Sequence, residues 1–254
     1  MKKAILLFFS LVSFFYAQGI SINVTASGML GSLIPDNKIT ELTVTGYIDA
    51  RDVIFIFNEL NNLQQLDLSE VKILEYNADG GAYSYPADVM PEYSFYNSYT
   101  SSGKPSLKSV VLPSSITAIG LRAFENCSGL TSIIIPAGVT SIGRSAFQNC
   151  TELKSIVLPN AVTIIGIRAF EYCTKLEKLT ISSSVNFIGE YAFSNCEELV
   201  SITALAVTPV DISKNKSVFE NVNPKCVLTV PKGSEKIYRV AAQWQDFVKI
   251  EEQK

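Results

Sequence analysis

Cysteine has the most reactive chemistry to offer in this 254-residue chain, and its placement is regular. Four of the five cysteines, Cys127, Cys150, Cys173 and Cys196, stand 23 residues apart, with Cys226 beyond them. Thiolates attack electrophiles, ligate soft metals or oxidise to disulfides. Activating such a nucleophile ordinarily falls to an imidazole, and the chain contains no histidine. The same absence removes Ser-His-Asp catalysis, His-ligated zinc and imidazole acid–base work. A thiolate metal cluster needs ligands that converge on one point, whereas a fixed period strings them along a line. The odd count and shared position predict free, buried thiols behaving as small hydrophobes, with bridges between neighbouring repeats as the alternative. No motif places a pair of carboxylates for hydrolysis, since Asp79 and Asp88 only flank a loop. An enzyme is therefore the unfavoured class, and neither cofactor nor metal is expected.

Tyrosine supplies a different chemistry, that of contact. Six of the eleven tyrosines (Tyr76, Tyr83, Tyr85, Tyr93, Tyr96 and Tyr99) fall in one stretch with Asp79, Gly80, Gly81 and Pro86. A tyrosine brings a large rigid surface and a hydroxyl at small entropic cost, which suits stacking on sugar rings. In a glycan-binding reading Tyr76, Tyr83, Tyr85, Tyr96 and Tyr99 form the platform, and Asp79, Asp88 and Asn97 supply hydrogen bonds. Packing competes for the same side chains, because a long insertion must bury something to stay ordered.

What must position these residues is a repeat. Leu107, Leu130, Leu153 and Leu176 open four segments of equal length. Each carries Ile-Gly (Ile119-Gly120, Ile142-Gly143, Ile165-Gly166, Ile188-Gly189), then Ala-Phe (Ala123-Phe124, Ala146-Phe147, Ala169-Phe170, Ala192-Phe193), then the cysteine. The opening reads L-x-x-Φ-x-Φ-P, where Φ is aliphatic, with β-branched residues stopped by Pro113, Pro136 and Pro159; that is a short strand. One such unit cannot bury its apolar side, but stacked copies form a continuous core from parallel strands about 4.8 Å apart. Ile116, Val139, Val162 and Val185, each followed by Ile-Gly, read as a second extended piece turning back across the coil, with the glycine relieving a tight bend. The recurring phenylalanines read as core, and Asn126, Asn149 and Asn195 as partners of turn backbone.

The segment LTSIIIPAGVTSIGRSAFQNC resembles the BspA-like leucine-rich repeats of secreted and surface proteins from Bacteroides-type bacteria and some protists. The resemblance implies an α/β, strand-rich, right-handed leucine-rich-repeat solenoid with its parallel sheet on the concave face. It also implies adhesion to host matrix proteins or to other cells.

Strand alternation turns the residue between two core aliphatics towards solvent. Those residues are Val111, Ile134 and Val157, then Thr180 and Thr203, flanked by Lys108, Thr131, Lys154, Glu177 and Val200. A β-branched stripe edged by two lysines suits a protein-binding surface, although strand propensity alone also favours these residue types. The candidate contact residues on this face are Lys108, Val111, Thr131, Ile134, Lys154, Val157, Glu177 and Thr180.

The flanks are less regular. Residues 39–44 and 63–68 repeat the strand pattern faintly, and Asp49-Ala50-Arg51-Asp52 has the form of a capping box before Val53, Ile54, Phe57 and Leu60, predicting one N-terminal helix. Leu63 and Leu107 are 44 residues apart, so about 21 residues are inserted between them, near 75–104, with Phe95 keeping the core role. Ser201–Leu205 reads as the last repeat strand, Phe219 as a displaced core phenylalanine and Cys226–Val230 as one more strand. A short amphipathic helix from Tyr238 to Phe247 is expected to cap the open end with Trp244 and Phe247. At the other terminus Lys2 and Lys3 precede an apolar run, Ala4–Tyr16, too short to span a bilayer and followed by Ala17-Gln18-Gly19, which reads as a secretory leader. The domains expected are thus 1–19 as leader, 20–62 as N-terminal cap, 63–205 as repeats and 206–254 as C-terminal cap. The chain is acidic, with a formal charge of −3, and loses two lysines with the leader, which disfavours nucleic acid. An exported protein of the periplasm, cell surface or medium is expected, with no transmembrane segment. Its partner is an extracellular protein, of host matrix or another cell surface, or a glycan.

Overall fold

The computed structural model describes residues 19–78 and 83–254, and the side chain of Tyr83 is not described. The expected leader up to Gln18, together with Asp79, Gly80 and Gly81 of the insertion, lies outside the described residues. The chain opens with β1 (Gly19–Val24), a single turn α1 (Leu30–Leu33), β2 (Glu41–Ile48), α2 (Ala50–Glu59) and β3 (Gln65–Ile73). A hairpin follows, β4 (Tyr76–Ala78) with β5 (Tyr83–Tyr85), and then β6 (Val89–Met90). The repeats contribute β7 (Ser109–Val111), β8 (Ala118–Ile119), β9 (Ser132–Ile134), β10 (Ser141–Ile142), β11 (Ser155–Val157), β12 (Ile164–Ile165), β13 (Lys178–Ile181) and β14 (Phe187–Ile188). The chain closes with β15 (Ser201–Ala204), β16 (Val227–Val230), the turn α3 (Glu235–Tyr238) and β17 (Lys249–Glu252).

The strands stack as a parallel solenoid. One face holds β1-β2-β3-β7-β9 and continues in β11-β13-β15-β16-β17; a second holds β6-β8-β10-β12-β14. Ser109 pairs with Ser132 and Ser155 with Lys178, each 23 residues on, so equivalent residues lie above one another. Between β9 and β11 the ladder is interrupted, and Lys154 N–H reaches Thr131 O at 3.4 Å. The third side is a turn rather than a strand, yet it too is tied rung to rung: Arg122, Phe124 and Asn126 donate N–H to Arg144 O, Ala146 O and Gln148 O at 2.8–2.9 Å.

The apolar side of every rung is buried. Leu107, Val110, Leu112, Ile116, Ile119, Ala123, Phe124 and Cys127 and their equivalents join one continuous core. The phenylalanines stack with ring centroids 5.2–5.4 Å apart from Phe95 to Phe193, and Phe219 follows at 5.8 Å. Trp244 closes the column, tilted at 5.1 Å from Phe219.

Glycine has a different reason from the one its position suggested. Gly120, Gly143, Gly166 and Gly189 are not in the left-handed region; a Cβ on Gly143 would lie 2.7 Å from the carbonyl carbon of Gly120, and one on Gly166 2.6 Å from Arg144 N. Rung spacing, not backbone freedom, excludes a side chain there. The left-handed residues sit instead two beyond each glycine and two beyond each phenylalanine, at Arg122, Asn126, Ser145, Asn149, Arg168, Tyr172, Tyr191 and Asn195, with φ of 54–60°. Asparagine adopts this region at low cost, which accounts for three of the eight.

Helix α2 has the predicted capping box: Asp49 accepts from Arg51 N at 2.9 Å and Asp52 from Asp49 N at 3.0 Å. Asp52 also accepts from Gly28 N and Leu30 N, pinning α1 to α2. Two differences from the sequence reading stand out. Gly19–Val24 is an additional first rung, paired with β2. The C-terminal cap is no continuous helix: α3 ends at Tyr238, Trp244–Asp246 form a separate 3₁₀ turn, and β17 extends the sheet beyond β16. A helix from 238 to 247 would place Val240, here 76% exposed, and Gln243, at φ 65°, against the pattern that buries Trp244. The strand expected at Cys226–Val230 is present as β16, paired with β15.

Candidate binding surface

The outward residues of the first sheet form a row. Val110, Leu112, Ile133, Ile135, Ile156 and Leu158 point inward and are at most 7% exposed, whereas Val111, Ile134 and Val157 between them are 43%, 76% and 66% exposed. Thr180 and Thr203 continue the row half-buried. Beside it runs a second row tied through the backbone: Lys108 N–H donates to Gln64 O, Thr131 to Lys108 O, Lys154 to Thr131 O, Glu177 to Lys154 O and Val200 to Glu177 O, at 2.7–3.4 Å. Lys108, Thr131, Lys154, Glu177 and Val200 are all exposed. The structure therefore brings all eight sequence-predicted residues onto one face. Glu152 adds a carboxylate nearby: its ion pair with Lys175 at 2.8 Å, helped by Lys108 and Lys154, holds its carboxyl below the usual range.

The insertion is divided differently. Tyr76 and Tyr85 stack across the β4–β5 hairpin with centroids 6.3 Å apart, and the Arg51 guanidinium lies 4.6 Å over Tyr76. Tyr96 leaves the expected platform: it is 6% exposed, and Arg122 covers its ring at 5.3 Å while donating to its hydroxyl at 3.3 Å. Its ring packs at 6.3 Å against Tyr93. Tyr99 stands apart and is 98% exposed. Phe95 fills the core position assigned to it. Tyr76, Tyr85, Tyr96 and Tyr99 thus form no single surface, because Val89–Met90 and Phe95 return the chain to regular rungs in the middle of the insertion.

The four cysteines of the repeat are fully buried and, like Cys226, free. Cys150, Cys173 and Cys196 each donate their Sγ–H to the phenylalanine carbonyl of the preceding rung, at 3.2–3.3 Å. Burial pushes the Cys127 thiol up to about 12 and the other three up as well, so none is a thiolate near neutral pH. Among the described residues no three metal-ligating side chains come together.

Two carboxylates that the sequence reading passed over, Glu125 and Glu171, follow their phenylalanines and are buried. Burial pushes both up, against pulls from Arg122 at 3.2 Å and Arg168 at 3.0 Å. The Arg122 contact is close without an aligned hydrogen bond, whereas Glu171 accepts from both Arg168 and Gln148. The asparagines also differ from expectation: Asn149 donates to Asn126 Oδ1 at 2.8 Å and Asn221 to Asn195 Oδ1 at 2.9 Å, forming side-chain ladders. Only Asn126 donates to turn backbone, at Ser101 O.

Three solved structures are similar to this chain. A leucine-rich-repeat protein of T. pallidum is 24% identical, matches 90% of this chain and 81% of its own, and superposes with a TM-score of 0.49. The pneumococcal vaccine antigen PcpA is 19% identical over 85% of this chain and 62% of its own, with a TM-score of 0.47. A leucine-rich-repeat protein of Bacteroides ovatus is 16% identical over 95% and 70%, with a TM-score of 0.39. No functionally curated protein matches the chain. The signature described as the BspA type leucine rich repeat region matches residues 90–225 in six copies. That span is more than half of the sequence, and the chain belongs to the BspA-type leucine-rich-repeat family.

Proposed function

We propose that this protein is a non-enzymatic, exported binding scaffold that recognises another protein through the outward face of its first sheet. The carrying observation is the stripe of Val111, Ile134 and Val157, exposed on consecutive rungs beside Lys108, Thr131, Lys154 and Glu177. Solenoids of this family generally work by binding, since stacking repeats creates a long rigid surface. Exposed aliphatics gathered on such a surface lose water favourably when covered, and the flanking charges select the partner and its register. The buried thiols, and the absence of histidine, favour binding without chemistry. The basic, apolar leader pattern at Lys2–Tyr16 supports export, and no helix among the described residues is long and apolar enough to cross a membrane.

A capture screen on paired arrays of extracellular-matrix proteins and glycans tests the reading, with a Val111→Asp, Ile134→Asp, Val157→Asp variant alongside. Capture of a protein by the native chain, lost in the folded variant, is the expected result. Equal capture by both removes the stripe from the site. A glycan reading keeps one specific observation in its favour, the Tyr76–Tyr85 stack with Arg51 above it. Glycan capture that survives the triple variant and fails in a Tyr76→Ala, Tyr85→Ala variant would favour it.

A further inference from the structure

Lys104 occupies a position where an ammonium is poorly served. The residue is 3% exposed, and its Nζ donates to one acceptor, Phe57 O, at 3.1 Å. Among the described residues no carboxylate pairs with it; the titratable group beside it is the Cys127 thiol. An ammonium carries three N–H donors, so two are left over, with the Phe57 ring face beside them at 5.9 Å from Nζ to its centroid. Burial pushes its pKa down to about 8, which still leaves it charged at neutral pH. Nearby, the Ser106 hydroxyl is buried without a hydrogen-bond partner.

Both residues line one depression of about 340 Å³, between the end of α2 and the turns of residues 97–106, with Asn58, Asn61, Asn97 and Ser102 around it. A second depression of about 390 Å³ shares Asn61 and Ser106 with the first and carries Lys38 and Lys108. No acid lines either one, although the chain as a whole has a formal charge of −3. Apart from Gly103, only Phe57 and Pro105 interrupt the polar lining, which offers little anchorage to apolar side chains.

A buried cation with spare donors calls for an anion, and a charge-assisted bond to carboxylate is its strongest partner. Amides and hydroxyls both donate and accept, which is the complement of sugar hydroxyls. Two polar depressions with a shared wall suit two successive units of one chain. The geometry points to a binding site for a carboxylated saccharide of the uronate or sialate kind. Its carboxylate takes the spare donors of Lys104 and the Ser106 hydroxyl, and the next unit lies towards Lys38 and Lys108. The site meets the flank of the exposed stripe at Lys108 but contains none of its aliphatics, and it shares no residue with the tyrosine hairpin.

Calorimetric titration of the whole protein with oligogalacturonate and with oligosialate, against a neutral galacto-oligosaccharide and an oligoglutamate peptide, decides the matter. One acidic saccharide is expected to bind saturably, and about tenfold or more tighter than the neutral one. Lys104→Met removes the cation at matched length, and Asn61→Asp, at an exposed position, sets a negative charge between the depressions without touching the core. Each is expected to weaken binding about tenfold or more. Failure of both acidic saccharides to bind, equal affinity for the neutral one, or native affinity in Asn61→Asp would overturn the assignment. Preference for oligoglutamate would overturn it too, by reassigning the pocket to an acidic protein side chain.

Discussion

At the scale of single residues the thiols and Lys104 pull stability in opposite directions with pH. An unfolded cysteine ionises near 9, whereas burial raises the folded thiols to about 12 or beyond. The folded chain then holds more protons than the unfolded one, so the stabilisation is complete below pH 9 and is lost above it. Each thiol accounts for about 1.4 kcal/mol per pH unit. Thermal unfolding should therefore shift steeply downward between pH 9 and 10.5. Cys173→Ser, which can still donate to Phe147 O, should flatten that slope; an unchanged slope would refute the assignment. Lys104 behaves in reverse. Its folded pKa of about 8 lies below the usual 10.5, so its charge destabilises below pH 8 and the penalty fades as pH rises through that window. Lys104→Met should stabilise by about 1 to 2 kcal/mol at pH 7, with the gain shrinking by pH 10. A gain that is independent of pH would mean the ammonium carries no such penalty. Nothing in the sequence announces Lys104, because a lysine beside Gly103 and Pro105 reads as loop surface until α2 is folded against it.

At the scale of elements, each rung is held in register by its glycine and its phenylalanine. Gly143→Ala places a methyl against the backbone of Gly120 and should cost about 3 kcal/mol, the upper end of overpacking penalties. Gly138→Ala, in the same repeat, meets nothing closer than 3.4 Å and should change stability by less than about 0.5 kcal/mol. Chemical denaturation of the two variants checks the contrast, and similar losses would contradict the close-approach account. Phe147→Ala should cost about 3 to 5 kcal/mol, because rings on both sides lose their partner. These positions were legible because strict recurrence at one period leaves few other folds. Elements outside the period were less so. β1 lay hidden at the end of the leader pattern, and the final turns mimic helical spacing through Tyr238 and Trp244 without helical backbone between them. The tyrosine insertion misled for a related reason: Tyr96 belongs to a regular rung, and only its partner Arg122 shows that it is buried.

At the scale of the whole molecule the repeats make one continuous core with three distinct sides, and among the described residues only the first sheet presents consecutive exposed aliphatics over three rungs. The second sheet exposes Ile164 and Phe187 on neighbouring rungs, a smaller pair that the sequence reading did not single out. Alternation within β7, β9 and β11 made the larger stripe readable in advance, since the same period that buries Ile133 must expose Ile134. Partner chemistry was not readable, because it depends on which exposed residues gather across distant segments. Photocrosslinking tests the central claim most directly. Ile134 and Val240 are both aliphatic and equally exposed, at 76%, but only Ile134 lies on the stripe. With a benzophenone side chain at one position or the other, the captured protein should crosslink at 134 and not at 240. Equal crosslinking at both positions, or crosslinking at 240 alone, would contradict recognition through the first sheet.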